Sequence, residues 1–288
     1  MDTANYIARY IADEGVRLSI AVTTQIAEEA KRRHDLYPLA AAALGRTMTG
    51  AVLLSSDYKN KESVTVKIAG DGPLGGIVAD AYNGTNVRGY VDNPHATLPL
   101  HQGKLDVGSG VGEGNIVVTR YSHLKTSYTS QAKLVSGEIA EDLAYYLLTS
   151  EQTASTISLG VLVNPDYRIL ASGGFFVQAL PGAEDGAVAI VEQNIKGIGP
   201  ISQYLAECPD GAGLADKILA GLQYKLLNKE VLKFACTCSR ERIEKTLLSL
   251  NGHDQDELLK DDQVELVCHY CGTKYVVTRA ELKKLYVR

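Results

Sequence analysis

Four cysteines in two tight pairs constrain this chain more than any other feature. The stretch FACTCS carries Cys236 and Cys238 as C-x-C, and VCHYCG carries Cys268 and Cys271 as C-x-x-C, with 29 residues between the pairs. Zinc takes four tetrahedral ligands, with sulfur at about 2.3 Å. In C-x-x-C a turn brings two sulfurs together, and Gly272 eases that turn. In C-x-C an extended strand points side chains two apart to one face. All four cysteines are therefore expected to hold one zinc ion as thiolates. Such a shell is closed and leaves no open position for catalysis. His253 and His269 are possible substitute ligands, though His269, held between two ligands, is expected to point away. A site of this kind supplies on the order of 10 kcal/mol of folding free energy. The insert SRERIEKTLLSLNGHDQDELLKDDQVELV reads as a helix and then a strand, and with YVVTRAELKKLYV makes a compact unit around the metal. Without metal, that unit should unfold.

The same spacing bears on oxidation. Each pair fits the Cα separation a disulfide accepts, about 4.4–6.8 Å. The thiolate is the reactive form, and Lys233, Arg240 and Arg242 lie nearby in sequence to favour it. Two disulfides would remove all four ligands together. Spacing alone leaves a permanent zinc ribbon and an oxidant-sensitive site both open.

The chain has 288 residues, enough for one large domain or two. Apolar residues make up 45% and charged residues 22%, the balance of a soluble globular protein. A net charge of −5 argues against a large nucleic-acid surface. From Leu232 to Arg288 ten Lys/Arg face nine Asp/Glu, a balance of +1 that gives phosphate binding little support. The start, MDTANYIARYIADEGVRL, has acidic residues where a secretory signal has a basic start and an apolar run. The apolar run Leu39–Leu44 is too short to span a bilayer, so no membrane partner is expected. A cytoplasmic location follows as the expectation, and there thiols are kept reduced. Cys208 stands alone in LAECPD and reads as an isolated thiol near a turn.

The periodicity predicts an α+β fold. Residues 1–22 resemble a hairpin around Asp13-Glu14-Gly15. Residues 23–57 read as two helices, the first with early acids and late bases and the second more buried. Residues 63–93 alternate as strands, with turns at GDGP and at Asn83-Gly84. Residues 94–135 read as further strands and loops, 137–152 as a helix, and TISLGVLV with ILASGGFFVQAL as a strand pair across NPDYR. Beyond Pro181 the pieces shorten: AVAIVEQNI, ISQYLAE, LADKILAGL and LLNKEVL, among seven glycines in residues 182–232. Leu214, Ile218, Leu219 and Leu222 fall on one stripe. An isolated helix needs about 12–15 residues to be even marginal in water. These pieces must lean on another surface. The expected division is an α+β core domain over 1–180, a helical linker over 181–232 and a zinc-binding domain over 233–288.

Three shorter matches carry less. GDGPLG (Gly70, Gly72, Gly75) fits G-x-G-x-x-G, but a dinucleotide site needs a helix next, and strand follows. Tyr121 and Lys125 fit Y-x-x-x-K, and Ser122 with Lys125 fits S-x-x-K, without the context either requires. The H-x-E of zinc deaminases is absent, and no catalytic constellation stands out.

AAALGRTMTGAVLLSS, VTVKIAGDGPLGGIVADA, LVSGEIAEDLAYYLLTSEQT, LGVLVNPD, GGFFVQALPG and the C-x-C…C-x-x-C end, in that order, resemble one family over nearly the whole chain. It is the redox-regulated heat-shock chaperone of thirty-three kilodaltons, an ATP-independent holdase of the bacterial cytoplasm. The resemblance implies that the reduced protein holds zinc through Cys236, Cys238, Cys268 and Cys271 and is inactive. It implies that peroxide or hypochlorous acid, with heat, drives disulfides Cys236–Cys238 and Cys268–Cys271 and expels zinc, the C-x-x-C pair responding first. The zinc domain and linker would then unfold, and the activated protein would dimerise and hold unfolding client proteins. It implies no enzymatic activity and no nucleic-acid partner. Two other readings of the residues are a zinc-ribbon nucleic-acid or translation accessory protein, and an enzyme with purely structural zinc.

Overall fold

A computed structural model describes residues 5–57, 62–122 and 127–286. Lys125, named in two of the short motifs, lies outside them. The chain opens with the expected hairpin, β1 (Tyr6–Ala12) and β2 (Val16–Val22), turning at Gly15 with φ of 85°. Two helices follow, α1 (Thr24–His34) and α2 (Pro38–Leu54). Then come β3 (Ser63–Gly70), β4 (Gly76–Tyr82), β5 (Asn86–Val91), the one-turn helix α3 (Val107–Val111), β6 (Gly114–Tyr121) and β7 (Tyr128–Lys133). Helix α4 (Ala140–Ser150) leads into β8 (Ser155–Val163) and β9 (Ile169–Ala179). Next are α5 (Asp185–Lys196), α6 (Ile201–Glu207), α7 (Leu214–Ile218), β10 (Tyr224–Val231) and β11 (Lys233–Phe234). The cysteine-bearing end holds α8 (Arg240–Leu248), α9 (Gly252–Leu258), β12 (Gln263–Val267), β13 (Lys274–Thr278) and α10 (Arg279–Tyr286). The fold is mixed α+β, as expected.

The residues divide into two compact units, one ending at Ala235 and one beginning at Cys236. In the first, a five-stranded sheet runs β10-β1-β2-β9-β8 and a six-stranded sheet β11-β5-β4-β3-β6-β7. Helix α2 packs against strands of both. Fifteen of its 17 residues are buried, and a helix apolar all round must be covered all round. Pro38 starts it, at a position where a missing N–H costs nothing. Thr47 and Thr49 bond their hydroxyls to the carbonyls of Ala43 and Gly45, four residues back, at 2.9 and 2.8 Å, so both hydroxyls are matched inside. Gly50 lets α2 approach α4, since a Cβ there would meet Leu143 Cδ1 at 2.5 Å.

The opposite face of the five-stranded sheet is covered by α5, α6 and α7. Tyr6, Leu18, Ile20, Phe175 and Val177 of the sheet meet Val191, Ile201, Leu205, Leu214, Ile218 and Leu219 of the segment 185–219. Those last five are each 2% exposed or less. Each such side chain contributes about 1.5–3 kcal/mol on burial. The Tyr6 hydroxyl donates to Asp210 O at 2.7 Å, Tyr204 to Ala212 O at 2.6 Å, and Asn194 Nδ2 to Ile218 O and Ala220 O at 3.0 and 2.9 Å. The short pieces do lean on another surface.

One expectation is corrected. LLNKEVL is not helical: residues 224–231 form β10, antiparallel to β1 with Tyr6 opposite Val231 and Ala12 opposite Tyr224. Most of β10 is exposed, so burial periodicity could not mark it, and ladder pairing decides its conformation. The glycines of GDGPLG serve close approach. Strand β4 follows them, and a Cβ on Gly70 or Gly72 would collide with the backbone of Val111 or Gly110, at the turn around α3. The helix itself, absent from the sequence reading, is too short to leave a periodic signal.

Truncating Ile218 to Ala should weaken docking by about 2–5 kcal/mol. Amide hydrogen exchange in residues 185–222 should then rise, with β3, β4 and β6 unchanged. Uniform acceleration across the first unit would show that this segment does not open by itself.

Candidate metal centre

The second knuckle is a tight turn between β12 and β13. Cys268 N–H donates to Thr273 O at 2.9 Å, and the N–H groups of Cys271 and Gly272 donate back to Cys268 O at 3.3 and 2.8 Å. Gly272 has φ of 66°, the left-handed region that glycine enters without strain. The first knuckle differs from expectation. Strand β11 ends at Phe234, and residues 235–239 belong to no ladder. Ser239, with extended backbone, caps α8 by accepting from Arg242 N–H at 3.3 Å. Arg242 Nη1 donates to Thr237 O at 3.0 Å and Thr237 Oγ1 at 2.6 Å, fixing the residue between the two cysteines.

The four sulfurs converge. Cys236 Sγ lies 3.8 Å from Cys268 Sγ, Cys238 Sγ lies 3.4 Å from Cys271 Sγ, and all four lie within 4.8 Å of one another. Sulfurs at the corners of a tetrahedron of about 2.3 Å radius sit about 3.8 Å apart. The donor set and its spacing fit one metal ion. Cys271 is buried and the other three are half-buried. All five cysteines are free thiols. Neither His253 nor His269 belongs to the cluster; His253 is exposed beside Asp254, at 3.6 Å. Cys208 closes α6 in the first unit, its N–H donating to Tyr204 O at 2.8 Å.

Electrostatics within the cluster are shared. Burial pushes the Cys268 thiol up to about 12, helped by Cys271 and Cys236 beside it. Burial also raises Cys238. At Cys271 burial opposes ionisation, but hydrogen bonds from the Thr273 hydroxyl and N–H and from Cys238 and Cys268 outweigh it, and the thiol falls to about 7. Cys238, Cys268 and Cys271 are coupled, with the first negative charge favoured on Cys271. Two outer residues, absent from the sequence reading, touch the sulfurs. Tyr275 Oη donates to Cys238 Sγ at 3.1 Å, and Thr273 Oγ1 lies 3.2 Å from Cys271 Sγ. The bond to Cys238 pushes the Tyr275 phenol up to about 12, keeping its proton. Their closeness in sequence to Cys271 was the available signal. Arg240, expected to favour thiolate, is engaged elsewhere: it pairs with Glu244 at 3.3 Å and Glu281 at 2.8 Å.

The unit around the cluster has a thin core. Leu247, Val277 and Leu282 are its fully buried apolar side chains, with Ile243, Leu250, Val264 and Leu266 partly buried around them. A unit this small lacks the apolar area to fold on hydrophobic burial alone and needs a staple.

Fold and site together define an α+β protein with four clustered thiols able to hold a metal ion in a separate C-terminal unit. A family model described as Hsp33 protein matches residues 5–278. The 33 kDa chaperonin of Symbiobacterium thermophilum is 45% identical over 276 residues, 94% of each chain. That of Bacillus velezensis is 42% identical over 285 residues, 98% of each. The crystal structure of the 33 kDa chaperonin from Thermotoga maritima superposes with a TM-score of 0.92 at 38% identity, covering 99% of this chain and 98% of that one. The chain belongs to the Hsp33 family of chaperones. Among the described residues no helix is long and apolar enough to cross a membrane.

Two outcomes follow for the cluster. At pH 7 the metal-free thiols hold protons that a four-thiolate centre lacks, so metal uptake releases protons and weakens as pH falls. Calorimetric titration of Zn²⁺ in buffers of different ionisation enthalpy should show this release, with apparent affinity dropping below pH 7. Replacing any one cysteine by Ser should lower bound metal and unfold residues 240–286, seen as lost helical circular dichroism; a mutant keeping full stoichiometry would exclude that cysteine as a ligand.

Proposed function

We propose that this protein is a redox-regulated, ATP-independent holdase of the cytoplasm, non-enzymatic, held inactive by one zinc ion on Cys236, Cys238, Cys268 and Cys271. The observation that carries the reading is the convergence of four sulfurs in a unit with, among its described residues, a core of three buried apolar side chains. Zinc there supplies folding free energy, on the order of 10 kcal/mol, by binding only the folded state.

Oxidation joins Cys236 to Cys238 and Cys268 to Cys271. Each disulfide consumes one hydrogen peroxide: two thiolates give up two electrons, the O–O bond breaks, and two hydroxides leave. All four ligands are lost together, and the unit loses the metal's contribution to its stability. The functional division is a core over 1–180, a linker over 181–232 and a switch over 233–288. Heat then undocks the linker, whose helices are each short and depend on the sheet face. The uncovered apolar surface binds unfolding client proteins and a second activated copy.

The test treats zinc-loaded protein with peroxide at raised temperature. Zinc release is followed with a chromogenic chelator, disulfides by mass spectrometry, and chaperone action by light scattering of an unrelated unfolding protein. Only the oxidised form should suppress aggregation, with zinc loss preceding suppression. Equal suppression by reduced and oxidised forms would sink the proposal.

A further inference from the structure

We infer that Tyr275 is a positioning residue that restrains Cys238 from oxidation by hydrogen-bonding its sulfur, an inference resting on the oxidant-switch reading above. Its hydroxyl donates to Cys238 Sγ at 3.1 Å. It comes from the opposite side of the centre, on the strand that follows the second knuckle, with its backbone held opposite Leu266 in the hairpin ladder. A second strap ties the same two segments. Arg240, two residues beyond Cys238, donates through Nη1 to Val276 O, one residue beyond Tyr275. The ion pair of Arg240 with Glu281 fixes that guanidinium at the other end. Thr278 N–H donates to Glu281 Oε2 at 2.7 Å, closing the end of β13 onto the same carboxylate. The phenol is thus delivered to Cys238 by a framework that does not depend on its hydroxyl.

A hydrogen bond to a thiolate takes up electron density from the sulfur lone pair. Such charge-assisted bonds are among the stronger ones, and sulfur nucleophilicity falls as its basicity falls. In the first oxidation step Cys238 sulfur attacks a peroxide oxygen, the O–O bond breaks, hydroxide leaves and a sulfenic acid forms. Cys236 sulfur then displaces the second hydroxide to close the disulfide. The two electrons come from the two sulfurs and end on the two oxygens. Tyr275 acts on the first attack by holding the lone pair that must make the S–O bond.

The probes are hydrogen peroxide and Co²⁺, applied to the full chain. In Tyr275→Phe, Cys236–Cys238 disulfide formation should run about tenfold faster, the change expected from losing one charge-assisted hydrogen bond. Quenched alkylation and mass spectrometry should place Cys238 earlier in the oxidation order relative to Cys268 and Cys271. The sulfur-to-metal charge-transfer band of the cobalt form should move to lower energy, as a more electron-rich sulfur requires. A merely structural tyrosine would move neither the order nor the band. Replacing Tyr275 with 3-fluorotyrosine keeps its shape and strengthens the donor, so oxidation should slow; this variant decides the matter if Tyr275→Phe folds poorly. An unchanged oxidation order with an unshifted band overturns the inference. The cobalt spectrum needs no oxidant, so it judges Tyr275 separately from whether peroxide switches the protein.

Discussion

Four sulfur atoms within 4.8 Å of one another cannot all be negative without a cation among them. That constraint organises the C-terminal unit. In the absence of metal the cluster relieves it with protons, keeping Cys268 and Cys238 protonated around one thiolate at Cys271. With metal, the charge is neutralised at the centre and the two knuckles are tied. A core as thin as that around Leu247, Val277 and Leu282 calls for such a tie. The chemistry that makes the sulfurs good ligands, their thiolate form, also makes them vulnerable to oxidants.

In the first unit stability is divided unevenly. Helix α2 is enclosed and cannot move without dismantling the core. Helices α5 to α7 have one buried face each and are tied by side-chain bonds from Tyr6, Tyr204 and Asn194 to backbone carbonyls of the same segment. Elements of this kind lie at the low-stability end of a native structure. Their apolar contacts are numerous enough to dock them and local enough to be lost as a group.

Much of this was legible from residues alone, for identifiable reasons. The α2 sequence is apolar on every side, and Asn83-Gly84 carries turn chemistry, here with φ of 55° and 72°. The cysteine spacing is local, so the turn of the C-x-x-C knuckle could be read without knowing the fold. What escaped depended on distant partners. Strand β10 has little burial pattern because, among the described strands, it sits at a sheet edge beside β1. Cys236 and Cys238 reach the centre from an irregular segment whose shape is held by Arg242, a contact no periodicity encodes. Tyr275 needed the β12–β13 register and the folding-back of α8 to be placed beside Cys238. The motif GDGPLG was a matter of backbone crowding, which becomes visible only once α3 lies against it.

The strand identity of residues 224–231 changes the mechanics of the segment before it. Ala179, at the end of β9, lies opposite Val16, and Tyr224, at the start of β10, lies opposite Ala12. Ala12 and Val16 flank one hairpin turn, so both feet of residues 180–223 stand on the same end of one sheet. Three strand spacings separate them, about 14 Å. As long as the sheet holds, the segment is a visor hinged on both sides rather than a free tail. Lifting it opens a face of fixed area without letting the cover diffuse away. Lowering it again is a unimolecular event, with a rate independent of protein concentration and a loop already closed.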